Sequence, residues 1–412
     1  MSTAAGKASP ARIPPRAYLI IVLGGLLLTI TFGIRQGFGL FLKPMSQDLG
    51  IGFQTIGLAL AIQSLLSGLV QPFTGMIADR YGSGRVIAAG GLLYLAGLLL
   101  TPLAAGGLAL QFTLGVLVGV GLTGTTFAVV FGAASRAVPP EQRAVALTIV
   151  STFGSAGLFV FVPLTQALLD SFGWMQALLW LAAITALIPL FAIVLRGKPE
   201  KAVAVASEAG SLRAALGEAS RHPGYRLLNI GFFVCGFHVT FMAVHLPAYL
   251  TEGGLTPMAA ASALATVGLF NILGSLLCGW AGARYRKKYV LSLLYFARAV
   301  AIAAFIAAPL SELSAHLFAA AIGVLWLGTV PVTSSLVAQI FGVRYLATLF
   351  GIVFMSHQVG AFIGAWFGGY IFDATGSYTI VWYVAIALGV LSGLVHLPIL
   401  DRPLLRAHPL PA

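Results

Sequence analysis

Charged residues are scarce in this sequence, and acidic residues are the scarcest. Only 8% of the 412 residues are charged, against about 25% in a typical soluble domain, and only 11 are Asp or Glu. The two cysteines, Cys235 and Cys278, lie within apolar runs and are too few for a disulfide framework or a metal site. His-Glu-x-x-His, Cys-x-x-Cys and phosphate-loop motifs are absent, so no catalytic machinery, metal or cofactor is expected.

Apolar residues dominate what is present. They make up 59% of the chain and recur in runs of about 20 residues, long enough to cross a hydrocarbon core ~30 Å thick. The strands of a transmembrane barrel are shorter and alternate polar with apolar side chains, which these runs do not do. The sequence therefore predicts an all-α protein that crosses a membrane many times.

The apolar runs divide into twelve predicted spans. They cover residues 17–42, 51–77, 84–105, 108–135, 143–169, 173–195, 225–250, 257–283, 288–309, 313–340, 345–371 and 377–400. The polar stretch 196–224 predicts an N-terminal six-helix bundle at 1–195, a cytoplasmic linker and a C-terminal six-helix bundle at 225–412. The first run is too long for a signal core, so no cleavable signal peptide is predicted.

Basic residues are distributed unevenly between the two sides of the predicted bundle. With the N-terminus inside, the inner segments hold 20 of the 23 Lys and Arg residues, and the outer segments hold Lys43 alone. This positive-inside pattern predicts a protein of the bacterial inner membrane with both termini in the cytoplasm. Because the basic residues line a membrane face and form no patch beside stacking aromatics, nucleic acid is not an expected partner. A monomer in the lipid bilayer is the expected form.

The two halves of the chain resemble each other. The segment "GMIADRYGSGRV" (75–86) matches "GWAGARYRKKYV" (279–290) at an offset of 204, and Asp170 matches Asp373 at an offset of 203. Two halves of six spans in parallel orientation are a repeat found in transporters, whose substrate lies near the midplane between the halves.

The same offset relates two basic residues inside predicted spans. Shifted by 203, "FGIRQGFGLF" in span 1 falls on span 7, so that Arg35 coincides with His238 and Phe38 with Phe241. A repeat axis through the centre would set Arg35 and His238 facing each other across a cavity. His238, His245 and Tyr249 also share one face of span 7, a stripe that suits a cavity wall.

The loop after span 2 carries a family signature. Its glycines, acid and basic residues stand in the order Gly-x-x-x-Asp-Arg-x-Gly-x-x-Arg, as Gly75, Asp79, Arg80, Gly82 and Arg85. With this loop and the repeat, the chain resembles the major facilitator superfamily over essentially its whole length. The resemblance implies that the loop acts as a conformational latch on the inner face, where Asp79 meets cations and helix ends.

Within that superfamily the chain resembles the bacterial branch akin to monocarboxylate carriers and oxalate–formate exchangers. The segments "RQGFGLFLKPM", "CGFHVTFMAVHLPAYL" and "FMSHQVGAFIGAWFGGYIFDATGSY" carry this likeness, which implies transport of small organic anions. The chain departs from the branch at span 8, where Asn271 and Ser275 stand in place of an Asp-x-x-x-Arg pair. His357 on span 11 stands where the exchangers carry a lysine.

The predicted membrane interior holds fixed cations and no acid. All 11 acidic residues fall at span ends or in loops, whereas Arg35 and Arg298 fall within spans. A charge at the bilayer centre costs about 2.5–3.5 kcal/mol on insertion scales, so it needs a partner or a water-filled cavity. The simplest missing partner is a substrate carboxylate, which the planar fork of an arginine binds through two parallel hydrogen bonds. The predicted substrate-binding residues are Arg35, His238, His245, Tyr249, Asn271, Arg298 and His357.

Several alternatives stay open on the sequence alone. Arg298 is either a second anion contact or a structural tie to neighbouring carbonyls. Proton symport would run through a histidine, and exchange and uniport are equally allowed. A proton-driven exporter of drugs or other small molecules is the second hypothesis, although it predicts a membrane-embedded acid that the sequence lacks. A membrane sensor or membrane-embedded enzyme would need an output domain or a ligand cluster, and neither is evident.

Overall fold

Every regular element in the described part of the chain is helical. The computed structural model describes residues 15–139, 142–196, 212–342 and 346–404. The N-terminal half contains α1 Pro15–Gly37, α2 Leu42–Leu49, α3 Phe53–Tyr81, α4 Ser83–Leu100, α5 Gly107–Leu110, α6 Val118–Gly124, α7 Phe127–Ala137, α8 Arg143–Thr185 and α9 Leu187–Val194. The C-terminal half contains α10 Leu212–Arg221, α11 Pro223–Glu252, α12 Pro257–Arg284, α13 Lys287–Ala307, α14 Glu312–Val324, α15 Thr329–Phe341, α16 Leu346–Thr375 and α17 Thr379–His396.

Short irregular helices join some of these elements. A 3₁₀ turn at Phe38–Phe41 links α1 to α2, and a second at Thr101–Leu103 follows α4. A π-helical stretch, Gln111–Leu117, connects α5 to α6, so that these pieces form one continuous span.

The prediction of an all-α membrane protein is confirmed. Among the described residues, eleven helical segments are long and apolar enough to cross a bilayer. One of them, Ile149–Val194, is 46 residues long and turns at Gly173, where φ is 74° and ψ is 172°. This segment contains predicted spans 5 and 6, which accounts for twelve predicted crossings in eleven segments. Gly376, the repeat partner of Gly173, likewise has a positive φ of 68° between α16 and α17.

The internal repeat is visible in how the helices cross. A Cβ on Gly33 of α1 would lie 2.6 Å from the carbonyl oxygen of Gly157 on α8. In the other half, a Cβ on Gly360 of α16 would lie 3.0 Å from the backbone nitrogen of Phe237 on α11. Such distances admit no side chain, so the glycines let both helix pairs cross backbone to backbone. The first and fifth spans of each half therefore pack alike.

The two halves contact each other at one end of the bundle. We name the two ends as follows: the 'linker end' is the end at which α9 terminates, and the 'far end' is the opposite one. At the far end, Asp373 accepts hydrogen bonds from the backbone N–H groups of Phe53, at 2.9 Å, and Gln54, at 2.7 Å. An ion pair of 2.7 Å joins Lys43 to Glu252 at the same end. These contacts hold the two halves together at the far end.

The signature loop lies at the linker end and is very short. Gly82 alone separates α3 from α4, with a φ of 95° that favours glycine. The Arg80 guanidinium lies 5.3 Å from the centre of the Tyr81 ring. A Cβ on Gly75 would meet open space, and Arg85 lines a groove beside Tyr81. The side chain of Asp79 lies outside what the structure describes, so the latch role stays a prediction.

The predicted linker differs in part from the structure. Residues 197–211 lie outside the described residues, whereas Leu212–Arg221 form helix α10. His222 then caps α11, because its Nδ1 accepts a hydrogen bond from the backbone N–H of Tyr225 at 3.2 Å. The domain boundaries themselves stay a prediction.

Candidate functional site

A small cavity lies where the two halves meet. It has a volume of about 20 Å³, room for roughly one water molecule. Helices α1, α3 and α11 contribute its lining residues, namely Arg35, Gln36, Leu60, Gln63, Ser64, Thr240, Ala243 and Val244. Walls from both halves are what a substrate site between two rocking bundles requires.

Arg35 is the charged group of this cavity. Within the described part of the chain, its guanidinium makes one hydrogen bond, from Nη2 to the Ser64 hydroxyl oxygen at 3.4 Å. That bond is long for a charged donor, and a guanidinium has several further N–H groups. The ion pairs that the structure shows, Lys43–Glu252 and Arg286–Asp401, involve other residues. Arg35 therefore retains donor capacity on the cavity side.

Tyr94 adds a second polar group beside Arg35. Its side chain on α4 is fully buried, and among the described residues its hydroxyl has no hydrogen-bond partner. The ring is close enough to Arg35 for the two to interact electrostatically. Tyr94 does not itself line the cavity. A buried hydroxyl without a partner is costly, so a ligand that reached it would gain a hydrogen bond.

A hydrogen-bonded chain connects Arg35 to the other half. Gln358 on α16 donates from Nε2 to the Ser64 carbonyl oxygen at 2.8 Å and to the Ser67 hydroxyl at 2.7 Å. Its Oε1 lies 3.0 Å from Nδ1 of His357. His357 is 7% exposed and packs between the rings of Phe232 and Phe354. Of the seven residues predicted to contact substrate, Arg35 and His357 belong to this hydrogen-bonded series.

The predicted stripe on α11 differs from the structure in its position. His238 lies against α17, with Nε2 2.8 Å from the Ala385 carbonyl oxygen, and does not face Arg35. His245 is held by the Ala365 carbonyl at 2.7 Å and the Tyr378 hydroxyl at 3.1 Å. Tyr249 packs edge-on against Trp382. The stripe faces the interior of the C-terminal half, because α11 presents Thr240, Ala243 and Val244 to the cavity instead.

Arg298 and Asn271 both bind the break between α14 and α15. Arg298 is 2% exposed and donates from Nε to the Leu325 carbonyl at 2.9 Å and from Nη2 to the carbonyls of Leu325 and Trp326. Asn271 Oδ1 accepts from the backbone N–H of Leu327 at 3.1 Å. Its Nδ2 also lies 3.2 Å from the Ser155 hydroxyl across the interface between the halves. Helix ends leave carbonyls without partners, and Arg298 supplies donors to them.

Sequence reasoning missed three members of the site. Ser64 bonds Arg35, Tyr94 lies near enough to interact with it electrostatically, and Gln358 bonds Ser64 from the other half. Each is a polar residue within an apolar run, which was the available signal. Their positions could not be derived, because the crossing of α3 with α16 sets which polar residues meet.

Many apolar spans, an internal repeat and a polar cavity between the halves define a membrane transport protein. The sequence profile of the Major Facilitator Superfamily matches residues 21–328 and 228–411. The chain therefore belongs to the Major Facilitator Superfamily, a family of transporters and not of enzymes.

Comparison with individual proteins agrees with this assignment. The chain is 26% identical to an uncharacterized MFS-type transporter, YcxA, of Bacillus subtilis (strain 168), over 92% of this chain and 95% of that protein. It is also 26% identical to monocarboxylate transporter 13 of Rattus norvegicus, over 92% of this chain and 89% of that protein.

Two solved structures share the fold. A mutant of the nucleoside transporter NupG superposes with a TM-score of 0.77 at 14% identity, covering 92% of this chain and 100% of that one. A D-xylose–proton symporter superposes with a TM-score of 0.72 at 14% identity, covering 94% of this chain and 99% of that one.

Proposed function

We propose that this chain is a secondary transporter of a small organic anion, a mono- or dicarboxylate, in the bacterial inner membrane. The single observation that carries the proposal is the position of Arg35. Its guanidinium lines a cavity between the halves and keeps donor groups that no oxygen of the described residues occupies. A planar guanidinium fork matches a carboxylate through paired, charge-assisted hydrogen bonds.

Charge balance supports an anion over a cation. A cation buried at membrane depth is costly without a counter-charge. Arg298 is satisfied by backbone carbonyls, whereas Arg35 has the Ser64 hydroxyl and the neighbouring Tyr94 phenol. A carboxylate would neutralise Arg35 and accept a bond from the Tyr94 hydroxyl, so it satisfies both groups together.

The relatives support the same substrate class. Proteins named monocarboxylate transporters 13, 11 and 12 match 87–92% of this chain at 24–26% identity. At span 8 this chain carries Asn271, which bonds the Leu327 backbone. The anion contact is therefore assigned to Arg35 of the first span.

The transport cycle follows from the two-half architecture. The far-end contacts of Asp373 and Lys43 close one side of the bundle. Rocking of the halves about the cavity would break these contacts and open the far end. The positive-inside pattern supports a cytoplasmic location for the linker end and both termini.

Counterflow in liposomes tests this function. Purified protein is reconstituted in vesicles preloaded with an unlabelled compound, and uptake of the labelled compound is followed at symmetrical pH. The panel contains lactate, pyruvate, oxalate and succinate as anions, choline and a lipophilic drug cation as cations, and xylose as a neutral solute. Protein-dependent exchange of one or more carboxylates is expected. Exchange confined to cations or xylose would overturn the proposal and favour the exporter alternative.

A further inference from the structure

A second cavity lies beside the signature loop and is distinct from the Arg35 cavity. It has a volume of about 350 Å³, and we call it the loop groove. Three helices of the N-terminal half line it, and the lining residues include Ile77 and Tyr81 of α3, Arg85 and Leu93 of α4, and Thr123 of α6. These helices belong to segments that are long and apolar enough to cross a bilayer, so most of the groove lies at membrane depth.

The groove opens toward lipid and away from the other half. On α3, a Cβ at Gly68 would lie 2.5 Å from Cγ of Gln358, which identifies the face of α3 that meets the C-terminal half. Ile77 follows Gly68 by nine residues and therefore lies about 180° around the helix. Ile77 is 47% exposed and Tyr81 is 48% exposed. Acyl chains of the surrounding bilayer therefore have direct access to the groove.

Glycines form the floor of the groove and leave the space above it open. Gly90 of α4 and Gly124 of α6 both line the groove. A Cβ on Gly90 would lie 2.7 Å from the carbonyl oxygen of Gly121 and 2.8 Å from Cα of Gly124. Helices α4 and α6 thus cross backbone to backbone at this point. Because glycine has no side chain, this crossing leaves room for a ligand between α3 and α4.

The free polar groups of the groove are confined to one end. The Thr74 hydroxyl donates to the Thr123 carbonyl at 3.3 Å, and the Thr123 hydroxyl donates to the Val120 carbonyl at 2.7 Å. The protein itself therefore satisfies these two hydroxyls, and the body of the groove is apolar. The other polar side chains of the lining, Arg85 and Tyr81, lie next to the loop. The groove thus has an apolar body and a polar mouth.

Arg85 gives this mouth a positive charge. Its side chain is exposed, and within the described part of the chain no hydrogen bond or ion pair engages its guanidinium. Arg80 adds a second positive charge, since its guanidinium lies 5.3 Å from the centre of the Tyr81 ring. Leu93 follows Arg85 by eight residues on α4, so the groove extends about 12 Å from this charge into the span. That length approaches half of a hydrocarbon core ~30 Å thick.

We propose that the loop groove binds one anionic phospholipid of the adjacent leaflet. The lipid phosphate accepts hydrogen bonds from Arg85 and Tyr81, because basic pockets between transmembrane helices favour anionic headgroups. One acyl chain lies along Ile77 and Leu93 and gains van der Waals contacts with the walls of the groove. This site is independent of the proposed anion transport, since the described linings of the loop groove and the Arg35 cavity share no residue.

Native mass spectrometry of the delipidated protein in detergent tests the proposal. Phosphatidylglycerol and phosphatidylcholine with the same acyl chains are added at equal concentration, and the lipids retained per protein are counted. The attraction of one arginine for an anionic headgroup corresponds to roughly a fivefold change in binding. The parent should therefore retain about fivefold more phosphatidylglycerol, and Arg85→Gln should lose this preference. Ala89→Phe places a ring in the groove at an exposed lining position and should release the lipid although Arg85 is unchanged.

A matched control and three further outcomes decide between occupants. Arg284→Gln changes an exposed arginine at the end of α12, the repeat counterpart of Arg80, and should retain lipid as the parent does. Equal retention of both lipids by the parent, or parental retention in Ala89→Phe, would overturn the proposal. Displacement of the lipid by soluble glycerol phosphate would overturn it in favour of a site for free phosphate. A dimer that Ala89→Phe dissociates would overturn it in favour of a second copy of the chain.

A measurement in vesicles decides if Ala89→Phe does not fold. Tyr81→Trp places an indole at the mouth of the groove, and its emission is obtained as the difference from the parent. The protein is reconstituted in phosphatidylcholine vesicles that contain a minor fraction of phosphatidylglycerol with brominated acyl chains. Quenching should exceed that produced by the same fraction of brominated phosphatidylcholine, and equal quenching by the two lipids would overturn the site.

Discussion

The Oδ1 atom of Asp373 lies 2.9 Å from the backbone nitrogen of Phe53, so a carboxylate of one half caps the first turn of a helix in the other. The N-terminus of a helix carries unpaired N–H groups and a partial positive charge, both of which favour an anion. The repeat partner of Asp373 makes no equivalent contact across the halves among the hydrogen bonds of the described residues. Asp170 instead accepts from Gln166 at 2.7 Å within its own helix. The halves are alike in sequence at this point but differ in what their carboxylates bind.

Replacing Asp373 by Asn should favour the state that is open at the far end. The change removes a charge-assisted contact at an exposed site, worth about 1–2 kcal/mol, and shifts the ratio of states roughly five- to thirtyfold. Spin labels attached at Ala105→Cys and Glu312→Cys report the separation of the halves, because double electron–electron resonance measures the distance between the two labels. The native Cys235 and Cys278 are buried. Asp170→Asn, the matched control, should leave the distance distribution unchanged, and an equal effect of both variants would contradict the gate assignment.

Arg298→Leu should destabilise the protein without weakening anion binding. It leaves the Leu325 and Trp326 carbonyls without their donors, at about 1–3 kcal/mol for each orphaned acceptor. Thermal unfolding in detergent measures the loss as a lower Tm, and ligand titration measures the affinity. Arg284→Leu, a change at an exposed arginine, should alter neither. A tenfold loss of affinity at unchanged Tm would assign Arg298 to the anion site instead.

The fold was largely predictable from the sequence, and the site only in part. Apolar runs indicate spans directly, because a chain that crosses a bilayer must form a helix to hydrogen-bond its own backbone N–H and C=O groups. Arg35 could be found because a permanent charge in an apolar run needs an explanation. The orientation of α11 could not, since residues on every face of that helix are buried and apolar periodicity gives no direction. His238 therefore faces Ala385, whereas the repeat predicted that it would face Arg35.

Tyr94→Phe should weaken anion binding while leaving the empty protein as stable or more stable. The phenol hydroxyl is buried and has no hydrogen-bond partner among the described residues. Burying such a group costs desolvation free energy that no hydrogen bond offsets, so removing it takes this cost away. A bond from this hydroxyl to a carboxylate is worth about 1–2 kcal/mol, roughly a five- to thirtyfold change in Kd. Tyr225→Phe serves as the opposite control, because its hydroxyl donates to the Leu349 carbonyl at 2.7 Å. That variant should lower Tm and keep the Kd of the parent.

The start of α11 should become less protected in acid. Burial lowers the pKa of His222, although Glu218 nearby opposes the shift, and the neutral ring accepts the Tyr225 N–H bond. The folded pKa lies below the unfolded value, so the cap contributes fully above about pH 6.5 and is lost as pH falls through the folded pKa. Hydrogen-exchange protection of the amides that follow His222 measures this loss. His222→Asn keeps an acceptor that does not titrate and should be insensitive to pH; an identical acid loss in that variant would refute the assignment.

The most direct test of the account is the affinity of Arg35 variants for the transported carboxylate, measured by calorimetric titration of purified protein. Removing a buried charged partner costs about 2–4 kcal/mol, so Arg35→Gln should raise Kd roughly 30- to 1000-fold. Arg35→Lys keeps the charge but loses the planar fork and should fall between the parent and Arg35→Gln. Both variants should retain the parental Tm without ligand. An unchanged Kd in Arg35→Gln would contradict the claim that Arg35 binds the anion.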